Sequence, residues 1–167
     1  CAARLKRGAK TALIADSLFP EDLEALRTLA VDTDLTLLST PLDAETGRLD
    51  LPALRDLAAK LGDDLACIVF PQVNAFGLLE EVDELTDLAR EVGAKSVACI
   101  DPMLLATGGL KPPASFGSDA AGADLIAGEA QHLAIGPNYG GPGLGLFGVR
   151  HNEKVRNDVR ATPGRYV

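Results

Sequence analysis

Histidine and cysteine, the usual protein ligands of structural zinc, are scarce: the 167 residues include two histidines and three cysteines. His132 and His151 stand far apart and no CxxC or HxxxH pattern occurs, so we expect no metal site. Cys67 and Cys99 lie inside apolar runs, and Cys1 is terminal. This pattern indicates reduced cysteines in a core rather than disulfide partners, as in a cytoplasmic protein.

Positive charge and long apolar runs are also lacking. Lysine and arginine number 16 against 24 acidic residues, which gives a net charge of -8. Such a surface would repel the phosphates of nucleic acid, so we do not expect nucleic acid as a partner. No run approaches the roughly 20 apolar residues that span a bilayer, and residues 1–10 lack the apolar centre of a secretion signal. We therefore expect no membrane association and a cytoplasmic location.

Apolar residues are plentiful, at 47%, and suffice for the core of a single domain over residues 1–167. Short apolar segments alternate with amphipathic ones along the chain. The predicted strands are TALIA, LTLLS, LACIVF, SVACID, ADLIA and LGLFGV, and the predicted helices are PEDLEALRTLA, LPALRDLAAKL and LEEVDELTDLAREVG. Because parallel neighbours need a crossover that is usually helical, this order predicts an α/β fold with a mainly parallel sheet.

Polar residues follow three of the predicted strands, and in open parallel sheets chemistry collects at these carboxyl ends. Asn74, Asp101 and His132 are the candidates for one converging site. Each has a simpler interpretation. Asn74 with Gly77, and Asp101 before a proline, are equally typical of turns or caps. His132 fits an ordinary loop residue, since the sequence places no Ser, Cys or carboxylate to act with it.

A glycine pattern near the C-terminus imitates a dinucleotide-binding loop. Gly143, Gly145 and Gly148 match G-x-G-x-x-G, which requires a preceding strand and a helix that opens within the motif. Here the glycines run into LFGVR, which is typical of a strand. We therefore predict no Rossmann-type NAD site.

Several stretches resemble the glycine cleavage system P-protein, glycine dehydrogenase (decarboxylating), and specifically its alpha subunit or N-terminal half. They include NAFG, and the most specific are GLKPP, GADLIAGEAQ, YGGPGLGLFGVR and PGRYV. The resemblance implies the large domain of pyridoxal-phosphate enzymes of the aspartate-aminotransferase fold type I, with three layers and a mostly parallel seven-stranded sheet. By that comparison, the N-terminal arm and the small C-terminal domain of the family are absent from this sequence.

Pyridoxal-phosphate chemistry needs a lysine that holds the aldehyde, an acid that keeps the pyridine nitrogen protonated and donors for the phosphate. The resemblance implies that Asp101 and Asn74 occupy the positions for the ring nitrogen and the ring hydroxyl. After His132, where the catalytic type carries His-Lys, stands Leu133, which cannot form an imine. We therefore expect no catalytic residue in this chain, with Asp101, Asn74 and His132 as vestiges of a site that no longer binds the cofactor.

The resemblance also implies the partners. Pyridoxal phosphate would be held by a lysine-bearing beta subunit or C-terminal half, which acts on glycine and the lipoylated H-protein. Candidates for lining the partner interface or pocket are Asn138, Tyr139, Gly140, Gly141 and Gly143. Two alternatives remain: an independent pyridoxal-phosphate enzyme that uses a lysine such as Lys154, and a non-catalytic assembly module.

Overall fold

The sheet is the centre of the molecule. A computed structural model describes residues 2, 6–133 and 143–151, and six strands within these ranges form one sheet. They are β1 (Thr11–Ala15), β2 (Thr36–Thr40), β3 (Leu65–Pro71), β4 (Lys95–Ile100), β5 (Leu125–Glu129) and β6 (Gly145–Val149). All six predicted strands are confirmed within two residues at either end, because each is a short apolar run bounded by turn residues.

The strand order is β2-β1-β3-β4-β5-β6. The first five strands are parallel, and β6 pairs with β5 in the antiparallel sense. The mainly parallel sheet is therefore confirmed, whereas the seventh strand that the family resemblance implied is not among the described residues. The formation of β6 confirms that Gly145 and Gly148 belong to a strand and not to a dinucleotide-binding turn.

Three helices connect the first four strands along the chain: α1 (Pro20–Ala30), α2 (Leu51–Leu61) and α3 (Val82–Glu91). The start of α2 is fixed by Asp50, whose carboxylate accepts a hydrogen bond from the amide of Ala53 at 2.9 Å. Its end lies at Gly62, which has φ +52°. The start of α1 differs, because Phe19 offers no side-chain cap and the helix begins with a proline instead.

The helices lie on both faces of the sheet. Parallel crossovers are right-handed as a rule, and the chain moves in opposite directions along the sheet after β1 and after β2, so the strand order implies that α1 lies on one face and that α2 and α3 lie on the other. An ion pair of 2.6 Å between Arg55 of α2 and Glu91 of α3 agrees with this arrangement. The molecule therefore has the expected three layers, and no helix in the described ranges is long and apolar enough to cross a membrane.

The core lies between the sheet and the helices α2 and α3. Strands β1 and β3 are buried at every position, and α2 and α3 contribute buried side chains such as Leu54 and Leu85. Helix α1 contributes no fully buried residue. The loop that follows β4 folds back along α3, where the carboxylate of Asp83 accepts hydrogen bonds from Lys111 and from the amide of Gly117. Lys111 is thus part of this loop contact.

Candidate functional site

The carboxyl edge of the sheet contains a cavity of about 440 Å³. The parallel register aligns Pro71 of β3 with Cys99 of β4, and Ile100 of β4 with Gly128 of β5, so these strands end together. The strand order also reverses next to β1, which is where crevices form in open α/β sheets. The residues that line the cavity are Leu18, Phe19, Asp22, Pro71, Val73, Cys99, Ile100, Asp101, Leu104, Gly128, Glu129 and His132.

Two of the three predicted site residues meet in this cavity. The Nε2 atom of His132 lies 3.0 Å from Oδ1 of Asp101. The same oxygen accepts a hydrogen bond from the amide of Met103 at 2.9 Å, so Asp101 also caps the short 3-10 turn that follows β4. The sequence alone places no carboxylate beside His132, and the fold supplies one because it brings together residues 31 positions apart through the neighbouring strands β4 and β5.

Asn74 has a different role. Its side-chain amide donates hydrogen bonds to the carbonyl of Gly47 and to Oε1 of Glu80, both at 3.0 Å. Its side-chain oxygen accepts from the amides of Phe76 at 3.0 Å and Leu78 at 3.1 Å. These four bonds use the full hydrogen-bonding capacity of the buried side chain. Asn74 does not line the cavity, and its geometry favours the turn interpretation.

The charge of the cavity is negative. Three carboxylates line it, from Asp22, Asp101 and Glu129, and among its described lining residues the basic side chain is His132. Burial, and then the nearby charge of Asp22, raise the pKa of the Cys99 thiol to about 12. Cys99 is therefore a protonated thiol at neutral pH and not a nucleophile. It lies at the cavity wall, as a free and half-buried cysteine.

Several lining residues were not predicted from the sequence. The loops considered followed β3, β4 and β5, whereas Phe19 and Asp22 follow β1, in the segment DSLFPED. The same rule about strand ends would have found them. Glu129 stands between the predicted strand ADLIA and His132 and was not singled out, and the structure makes it the last residue of β5.

Other predicted residues lie outside the described part of the chain. They are Asn138, Tyr139, Gly140 and Gly141 of the proposed interface loop, and Lys154. Gly143 is described, and a Cβ atom there would meet nothing within 4 Å. Leu133 ends a 3-10 turn directly after His132 and is 53% exposed.

The fold is that of a known class of enzyme. Alanine--glyoxylate aminotransferase from Nostoc sp. superposes with a TM-score of 0.59 at 16% identity, covering 98% of this chain and 39% of that chain. Sphingosine-1-phosphate lyase from Burkholderia pseudomallei gives a TM-score of 0.66 at 19% identity, covering 92% and 34%. The domain thus has fold type I of the pyridoxal-phosphate-dependent enzymes.

The family model described as "Glycine cleavage system P-protein" matches residues 1–167. Probable glycine dehydrogenase (decarboxylating) subunit 1 from Legionella pneumophila (strain Lens) is 36% identical over 168 residues, which cover 99% of this chain and 34% of the relative. A crystal structure of inhibitor-bound glycine decarboxylase (P-protein) gives a TM-score of 0.69 at 32% identity, covering 89% of this chain and 30% of that chain. The chain therefore belongs to the glycine cleavage system P-protein family, and it spans about a third of the length of these relatives.

Pyridoxal phosphate is the cofactor associated with this fold, and the described cavity residues do not fit it. No lysine or arginine is found among the described residues that line the cavity, so neither an imine nor a charged phosphate contact is available there. Lys95 pairs with Asp124 at the opposite edge of the sheet, and Lys111 pairs with Asp83. The carboxylate suited to a pyridine nitrogen, that of Asp101, already contacts His132.

Proposed function

We propose that this chain is a cofactor-less part of glycine dehydrogenase (decarboxylating), the P-protein of the glycine cleavage system. In the complete enzyme, glycine would lose its carboxylate as carbon dioxide, and the aminomethyl group would pass to the lipoyl arm of H-protein. Pyridoxal phosphate supplies the electron sink for such a decarboxylation. In this proposal a lysine-bearing beta subunit or C-terminal half holds the cofactor in the cytoplasm, and the present chain supports the active pocket.

The observation that carries the proposal is the composition of the cavity wall. At the edge where this fold would hold the cofactor, His132 is followed by Leu133 instead of lysine. Three carboxylates face a cavity whose described lining includes no lysine or arginine. A bound phosphate would meet repulsion there and no compensating hydrogen bond from a charged side chain. The family relatives named subunit 1 agree with a chain that works beside another.

Borohydride trapping tests the proposal directly. The full-length protein is mixed with its lysine-bearing partner and a stoichiometric amount of pyridoxal phosphate, reduced with borohydride and digested for peptide mass analysis. We expect one pyridoxyl group on a single lysine of the partner and no stoichiometric label on this chain. The same complex should exchange glycine carboxylate with carbon dioxide only when H-protein is present.

Two results would contradict the proposal. Stoichiometric labelling of one lysine of this chain, for example Lys154, would identify an independent pyridoxal-phosphate enzyme. A stable complex without any exchange of glycine would indicate an assembly module. Asp101→Ala is a further test, because Asp101 contacts His132 and not the cofactor in this proposal. The variant complex should retain its full content of pyridoxal phosphate, and a clear loss would show that Asp101 serves a working cofactor site.

A further inference from the structure

We draw no further inference here: the strongest candidate, the mainly apolar cavity of about 390 Å³ between β5, the edge strand β6 and the loop that follows β4, carries none because nothing in the structure shows what covers it.

Discussion

Replacement of Asn74 with alanine should strongly destabilise the protein. The side chain is fully buried and makes four hydrogen bonds that hold the loop after β3 against Gly47 and Glu80. The hydrogen bond from Asn74 to Glu80 is buried. Without it, the Glu80 carboxylate keeps the amide of Leu49 as its one described side-chain hydrogen-bond partner. A bond to a charged group contributes about 1.5–3 kcal/mol, and each of the three partly buried bonds about 0.5–1 kcal/mol because water can reach the groups that are left.

The expected loss is therefore about 4 kcal/mol in the free energy of unfolding, a large part of the 5–15 kcal/mol that is typical of a domain. Urea unfolding of the full-length protein, followed by circular dichroism, measures it. Hydrogen exchange at the amides of Phe76 and Leu78 should rise as well, since these amides lose their acceptor.

Asp63→Ala is the control. Asp63 is exposed and caps no helix, so this variant should change the free energy of unfolding by no more than about 0.5 kcal/mol. If Asn74→Ala lowers stability by less than about 1 kcal/mol, the loop does not depend on this side chain.

Two further predictions concern the strands. Burial raises the pKa values of Cys67 and Cys99 to about 11 and about 12 from a usual value of 9.0. Above about pH 9 the unfolded state releases both thiol protons whereas the folded state keeps them, so the free energy of unfolding should fall as the pH rises. From pH 8 to pH 10, Cys67→Ala/Cys99→Ala should lose about 2 kcal/mol less than wild type in urea unfolding, and equal losses would contradict the assignment. Gly128→Ala should cost at least about 2 kcal/mol, because its Cβ would overlap the carbonyl oxygen of Ile100, whereas Gly143→Ala should be nearly neutral; equal stability of the two variants would show that β4 and β5 can move apart.

Much of the fold could be predicted because its signals are local. Apolar runs of five to seven residues mark the strands. Asp50 marks the start of α2 because its side chain caps the amide of Ala53, and Gly62 marks the end because glycine readily adopts a positive φ. The antiparallel direction of β6 was not predicted. Its sequence resembles that of the other strands, and direction depends on a connection that periodicity does not reveal.

The candidate site was predicted only in part. Position after a strand was enough to bring Asp101 and His132 to one edge, but their direct contact depends on side-chain directions that strand order alone does not give. Asn74 follows a strand in the same way, yet its amide turns toward Glu80, a buried acid that hydropathy would have placed at the surface. Long-range polar contacts of this kind require the three-dimensional structure.

The position of β1 between β2 and β3 has a consequence for how the protein is synthesised. Thr11 pairs with both Thr36 and Leu65, so one side of β1 finds its neighbour early and the other must wait until a further 29 residues have been made. Ribosomes add about 5–20 residues per second, which leaves an apolar strand edge open for seconds. Pairing between residues so distant along the chain is also slow to form. We therefore expect nascent chains that stop before β3 to aggregate or recruit chaperones more than those that extend through β3 and its next neighbour β4.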